Sequence, residues 1–299
     1  MPMTPDLPDP APPGGRLLDT ASVRRRFDRA ARRFDEADFV HRHTAAGLFE
    51  RLAPMRLAPA RILDAGSATG SASRELARRY RGSRVLSLDL SHAMLVCARS
   101  RRSRFARIRE LQADASRLPL ADGSIDLVFA NLLLPWTDDA PGFFREVRRV
   151  LRREGLFAFS TLGPDTLREL RDAWAAVDDD VHVNPFPDMH DVGDAVLRAG
   201  LADPVLDVDR LAVTWPDSAA LFRDLTAAGA RNSLAGRRRT LTGKRRFARM
   251  RERLDAELAD PAAPCELEIV FGHAWGTGPA PAPGEYRLDV AAIGRRMRR

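Results

Sequence analysis

The sequence predicts an α/β domain of the doubly wound kind, on three observations. Arg61-Ile62-Leu63-Asp64-Ala65-Gly66-Ser67-Ala68-Thr69-Gly70 runs from a short apolar stretch through an acid into a small-residue turn, and a helical pattern follows from Ser71 to Tyr80. Strand-length apolar runs then keep alternating with helical ones, five times in all up to Val177. A second strand ends in Asp89, 23 residues after Gly66, where doubly wound nucleotide sites hold a ribose diol.

The glycines at 66 and 70 let the backbone take positive φ and let a ligand approach closely. The turn is not a phosphate loop, because no Lys-Ser/Thr pair follows the last glycine, and it lacks the G-x-G-x-x-G spacing. The second strand is Arg84 to Leu90, and Ser91 is placed to cap a helix through Ser100. Asp89 reads either as a solvated acid at a strand end or as the acceptor of both hydroxyl protons of a diol. The glycine turn at the matching spacing favours the second. A third strand is expected over Ile108 to Ala115, closed by Asp114, and a fourth over Asp126 to Ala130. The fourth opens into Asn131-Leu132-Leu133-Leu134-Pro135-Trp136, at the carboxyl ends of the strands where ligands meet chemistry in this architecture. Trp136 reads equally as core and as pocket wall. An amphipathic helix over Phe143 to Leu151, a fifth strand over Gly155 to Leu162 and a helix from Gly163-Pro164-Asp165 to Val177 complete a Rossmann-like pattern.

The flanks differ in character. Residues 1–19 are rich in proline and glycine and are expected to be a disordered tail. Ala21 to Leu52 reads as helical, with Val23, Phe27, Ala30, Ala31 and Phe34 at steps of three and four. This helical cap, residues 20–53, either covers one edge of the sheet or closes over a bound ligand and helps to form the substrate pocket. Beyond Asp178 the stretch Val181 to Asp191 has no periodicity, and a helix (Val192 to Ala199) and a strand (Val205 to Val213) follow. His182 and His190 fit no zinc spacing, so no metal is expected and both read as loop histidines bonding to backbone. Residues 218–260 form a basic helical insertion: a helix from Ser218 to Ala228, the run Arg231 to Arg246, and a helix ending at Leu258. It is either a solvated arginine-rich face or a set of cations presented to an acidic partner or substrate. Glu266 to Trp275 is the closing strand, and residues 277–299 read as a flexible basic tail.

The composition narrows the setting. No apolar run reaches the roughly 20 residues that span a bilayer. The start lacks the order of a secretory signal, and Cys97 and Cys265 have no metal-ligand spacing. A soluble, cytoplasmic protein is expected. The net charge of +7 invites a nucleic-acid reading, but Lys244 is the only lysine, so part of the excess is arginine bias and its clustering matters more than its sum.

The turn at 64–70 resembles the D-x-G-x-G-x-G turn of class I S-adenosylmethionine-dependent methyltransferases, with Ala68 at the middle glycine. Five further stretches resemble the malonyl-acyl-carrier-protein O-methyltransferases of biotin synthesis: Arg26 to Ala31, Ser160 to Leu167, Asp188 to Asp191, Gly236 to Arg239 and Gly272 to Gly276. The similarity spans roughly residues 22–276, and Phe34 stands where that family often has a tyrosine. A related assembly factor of mitochondrial complex I, which modifies an arginine, and an RNA methyltransferase are the alternatives. The Asn-Leu-Leu-Leu at 131–134 departs from the Asn/Asp-Pro-Pro-aromatic motif of base-methylating enzymes.

The resemblance implies a seven-stranded methyltransferase sheet over residues 20–276 and S-adenosyl-L-methionine as cofactor. It implies that Asp64, Gly66, Ser67, Gly70, Asp89, Leu90, Asp114, Ala115 and Asn131 bind that cofactor, Asp64 at the amino group and Asp114 at the adenine. The implied acceptor is the free carboxylate of a malonyl thioester on an acyl carrier protein, met by a monomer with no nucleic acid or membrane involved. A carboxylate is ionised at neutral pH and needs no general base, in keeping with the lack of a convincing Ser-His-Asp or Cys-His set. It needs a cation, and an arginine can hold it with a planar fork. Arg231, Arg237 and Arg238 are the candidates.

Overall fold

The computed structural model describes residues 17–259 and 264–278. A seven-stranded sheet organises them: β1 (Arg61–Ala65), β2 (Arg84–Asp89), β3 (Ile108–Gln112), β4 (Ile125–Asn131), β5 (Leu151–Leu162), β6 (Ala202–Val213) and β7 (Cys265–Trp275). The strand order is β3-β2-β1-β4-β5-β7-β6. The first five strands run parallel, and β7 inserts antiparallel between β5 and β6. The order reverses between β1 and β4, which puts a crevice at their carboxyl ends.

Among the described residues nine α-helices are placed by the same periodicities: α1 (Thr20–Ala30), α2 (Phe39–Leu52), α3 (Ser71–Arg79), α4 (His92–Arg101), α5 (Ala140–Val150), α6 (Arg168–Ala175), α7 (Met189–Arg198), α8 (Ser218–Ala227) and α9 (Lys244–Leu258), with a 3₁₀ turn at Phe34–Glu36 between the first two and another at Leu134–Trp136 after β4. Side-chain oxygens of Asp19, Ser91, Asp139, Asp188 and Asp217 cap five of them, each accepting a backbone N–H three residues on. Two apolar layers sandwich the sheet. Phe143, Phe144, Phe157, Phe159 and Val196 fill one side, and Leu48, Leu52, Leu76, Phe129 and Phe271 the other. Each such side chain contributes about 1.5–3 kcal/mol by leaving water. A third cluster, with Trp174, Trp215, Leu221, Met250 and Leu254, joins α6, α8 and α9 to the start of β7.

Several expectations are corrected. β3 stops at Gln112, so Asp114 sits in the loop beyond it and does not close the strand. The helix expected from Gly163 begins at Arg168, after Leu167 takes positive φ (54°). The cap does not lie along a sheet edge. α2 crosses the face of β4, β5 and β7, with Phe49 stacked on Phe129 at 5.0 Å, and α1 packs on α4. Periodicity identified the apolar stripe of these helices but not what it would cover. The tail expected at 1–19 lies outside the described residues up to position 16. Leu18 within it is 2% exposed and pairs with Leu234. The tail from 277 is described only as far as Gly278.

Candidate functional site

The turn after β1 is built so that its backbone faces the crevice. Gly66, Ala68 and Gly70 all take positive φ (75°, 46° and 75°). A side chain at 66 would press on Leu133, and one at 70 would come within 2.9 Å of Ala98, so glycine at both lets the turn pack between neighbours. Gly66 and Ser67 donate their N–H groups to Leu88 O at 2.8 and 2.9 Å. Ala68 donates to Asp89 Oδ2 at 2.9 Å and Ser91 N to Asp89 Oδ1 at 2.7 Å. Each carboxylate oxygen of Asp89 therefore keeps a free lone pair, and the group borders a cavity of about 600 Å³.

That cavity fits a nucleoside with a charged tail. Gly66, Ala68, Asp89, Leu90, Asp114, Ala115 and Asn131 line it, and α1 roofs it with Val23, Arg24 and Phe27. Asp64 lies behind the turn, fully buried, with Oδ2 accepting the Ser73 hydroxyl at 2.5 Å and Oδ1 sealed off without a partner. An unmatched buried carboxylate oxygen is costly alone and suits an ammonium group. Burial above all, with the Asp89 charge adding, pushes Asp64 up to about 7, against the Ser73 hydrogen bond. Burial likewise pushes Asp89 up to about 6, against the N–H groups of Ser91 and Ala68.

Two more of the expected cofactor residues do not border this cavity, and another borders it while bonded to the protein. Gly70 borders none of the cavities described here and serves the packing of α3 on α4. Ser67 is buried, takes the Ser87 hydroxyl at 2.7 Å, and faces with Asp64 a small cleft of about 40 Å³ behind the turn. The Asn131 carboxamide is bonded to the protein at both ends, which leaves one Nδ2 hydrogen and one Oδ1 lone pair. Its Nδ2 donates to His41 O at 2.9 Å and its Oδ1 accepts from Ser160 at 2.8 Å.

A second, mainly apolar chamber of about 450 Å³ adjoins the first, and His41, Leu132 and Trp136 line both. Trp136 is thus a shared wall, edge-on to Phe27 at 5.3 Å. The chamber continues over Phe39, Trp174, Trp215 and Phe247. Of the three candidate arginines only Arg231 lines it. Arg237 points back to Leu234 O (2.6 Å), Ser22 Oγ (3.1 Å) and Asp19, and Arg238 reaches Thr240 and Asp180. Arg237 and Arg238 thus turn to protein partners and do not line the chamber. Arg26 stands close by, with one guanidinium nitrogen buried and partnerless, and burial followed by the charges of Arg237 and Arg231 pulls it down to about 10. Positive potential gathers where α1 meets the loop at 231–237.

His41 is the residue that the sequence did not reveal. Burial holds its imidazole down at about 4, so the ring is neutral, and its Nδ1 is sealed without a partner. Its ring meets Phe34 edge-on at 4.8 Å. It lies inside a helical stretch without a motif, and only the meeting of two cavities marks it. Asp28 ties the cap down, accepting from Ser91 Oγ at 2.6 Å and Ala93 N at 3.2 Å. The histidines flagged in sequence lie apart from the turn. His182 stacks on Trp174 at 3.6 Å and pairs with Asp178 at 2.7 Å, and His190 is at the surface, 3.8 Å from Asp188. Asp178, Asp180 and His182 stand within metal-binding distance of one another, but Arg246 and Arg238 face the two acids.

Known proteins resemble this chain in sequence and in fold. Residues 63–159 match the methyltransferase domain family. A malonyl-acyl-carrier-protein O-methyltransferase of Halorhodospira halophila is 45% identical over 293 residues, 96% of this chain and 99% of its own. The corresponding protein of Gallionella capsiferriformans is 43% identical over 283 residues, 93% of this chain and 96% of its own. Among solved structures, an S-adenosylmethionine-dependent methyltransferase of Thermotoga maritima shares the fold with a TM-score of 0.52 at 16% identity, covering 85% of this chain and 99% of that one.

Proposed function

As the chain belongs to the malonyl-acyl-carrier-protein O-methyltransferase family, we propose that it esterifies the free carboxylate of a malonyl group carried as a thioester on an acyl carrier protein. The chain is an S-adenosylmethionine-dependent methyltransferase. The observation that carries the acceptor reading is the junction of two cavities at His41, Leu132 and Trp136, one polar and bordered by Asp89, the other apolar with Arg231 on its wall. The names of the relatives favour this reading over an assembly factor or an RNA enzyme.

Bound in the first cavity, the cofactor supplies an electrophilic methyl group on a sulfonium centre. The residues of the chain do the rest. Asp89 accepts from the ribose hydroxyls, and Asp64 Oδ1 takes the ammonium group through the cleft behind the turn. Arg231 draws in the malonyl carboxylate. The apolar walls of Phe39, Leu132, Trp136 and Trp174 exclude water, so that the carboxylate is held in line rather than solvated. No residue needs to take a proton, which suits a chamber whose junction histidine is neutral. Once esterified, the acceptor has lost the charge that Arg231 holds, which favours release. The basic segment 231–246 suits an acidic carrier. We place the reaction in the cytoplasm, carried out by a monomer without nucleic-acid or membrane partners. No helix among the described residues is long and apolar enough to cross a membrane.

The test is methylation of malonyl-acyl carrier protein by the purified chain, read as S-adenosylhomocysteine formed and as a mass gain of one methyl group on the carrier. Acetyl-acyl carrier protein, which has no free carboxylate, is the control. Methyl ester on the malonyl carrier alone is expected, with turnover depressed about tenfold or more in Arg231→Ala. Turnover on neither carrier would overturn the reading.

A further inference from the structure

The apolar chamber does not end at Arg231. Phe222, Thr226 and Phe247 belong to its wall and also to the wall of a separate hollow of about 340 Å³ on the outside of the molecule. The remaining lining of that hollow is Arg33, Ala219, Arg223 and Arg251, with no carboxylate among them. These arginines come from three places: the residue before the 3₁₀ turn, α8 and α9. Arg33 is held by Glu36 at 3.0 Å, and Arg251 Nε by Ser218 Oγ at 3.0 Å with Asp255 at 4.0 Å. Arg223 is exposed and has no acid within salt-bridge distance among the described residues. The rings of Phe222 and Phe247 lie 5.9 Å apart, tilted by 36°. Cations thus line the outside, two aromatic rings in contact form the partition, and an apolar chamber lies inside, joined in turn to the cofactor cavity.

A malonyl group on a carrier protein hangs at the end of a long prosthetic arm with a phosphodiester at its protein end. Such an acceptor needs an anion seat outside and a passage that tolerates an uncharged chain. Resting on the acceptor reading above, we propose that the hollow seats the phosphate of the carrier's phosphopantetheine arm through Arg223 and Arg251. The arm then reaches the chamber past the Phe222 and Phe247 rings, which part to admit it. Arg33, already engaged with Glu36, adds potential rather than a direct contact. The site is distinct from Arg231, which serves the other end of the same acceptor.

The experiment compares the holo protein with its Arg223→Glu variant on two acceptors, malonyl-acyl carrier protein and the malonyl thioester of N-acetylcysteamine, which has no phosphate. The expected result is a fall of about tenfold or more in kcat/KM on the carrier, mainly through KM, with the short thioester and S-adenosylmethionine affinity unchanged. Unchanged turnover of the short thioester also shows that Arg223→Glu leaves α8 and the chamber intact. Equal losses on both acceptors, or no loss on the carrier, would overturn the proposal. Calorimetric titration with 4′-phosphopantetheine decides the matter without turnover. Binding that weakens in Arg223→Glu supports the arm site, and no binding to the unaltered protein removes it. A protein that binds the arm but methylates neither malonyl thioester would keep this site and lose the acceptor reading.

Discussion

Asn131 holds the backbone of His41: the carboxamide Nδ2 donates to the His41 carbonyl at 2.9 Å while its Oδ1 takes the Ser160 hydroxyl at 2.8 Å. One side chain at the carboxyl end of β4 thus fastens α2 to the sheet where the two cavities meet. Asn131→Ala leaves a carbonyl and a hydroxyl in a water-poor site without their partner. The expected cost is about 1–3 kcal/mol, read as a lowered midpoint in thermal or urea unfolding. Because the junction loosens, KM for the acceptor should rise as well.

The proposed role of Asp89 as acceptor of the ribose hydroxyls is tested by one substitution. Asp89→Asn keeps the shape but turns one acceptor oxygen into an NH₂ group that faces a backbone N–H, either Ala68 or Ser91. Calorimetry with S-adenosylhomocysteine should show affinity reduced about tenfold or more. Unchanged affinity would move the ribose contact elsewhere.

The proposed contact of Asp64 with the ammonium group links cofactor binding to pH. With its carboxyl raised to about 7, the free protein is largely protonated there at pH 6, and an ammonium group bound at Oδ1 favours the ionised form. Binding should release a proton between about pH 6 and 7, visible as calorimetric heats that depend on buffer ionisation enthalpy and fading as pH climbs above the raised pKa. Affinity should strengthen over the same interval.

Asp64 and His41 pull stability in opposite directions. A raised carboxyl makes the folded state bind more protons, so its contribution is full below the ordinary value near 3.8 and is lost as pH rises through about 7. A depressed imidazole makes the folded state bind fewer, so its contribution is full above 6.5 and is lost as pH falls through about 4. His41→Gln removes the second effect. Between pH 6.5 and 4 its unfolding free energy should decline less than that of the unaltered protein, by up to about 3 kcal/mol.

Ala68 takes a left-handed conformation, φ 46°, that suits glycine better, and its methyl group packs beside Phe34 and Met94. Ala68→Gly relieves about 1 kcal/mol of backbone strain and loses a little packing. The unfolding midpoint should rise by a few degrees, about 2–4 °C, with cofactor affinity kept.

The cofactor side was legible because its parts are local. Asp64, Gly66 and Asp89 fall at strand ends whose positions follow from apolar runs, and one turn brings them together. The acceptor side was not. His41, Trp174, Trp215 and Phe247 are far apart in sequence and meet only through the packing of α2, α6, α8 and α9. The arginines at 231–239 could be grouped by charge but not sorted, because Asp19 and Asp180, distant in sequence, decide which of them turn inward. Asp114 was placed one loop too early for a simpler reason: the alternation in Ile108 to Gln112 continues past the last paired residue without a turn signal.

The short pairing near the amino end has a kinetic consequence. Asp19 N meets Ser233 O at 2.8 Å, Ala235 N meets Leu17 O at 2.9 Å, and Arg237 ties Leu234 to Ser22. This seam sews α1, the roof of the donor cavity, to the loop that carries Arg231 on the acceptor side. The two ligands therefore share a single hem. Whatever unpicks it for one loosens the hold on the other, so the residence times of spent donor and finished ester should shorten together when Leu18 or Arg237 is truncated.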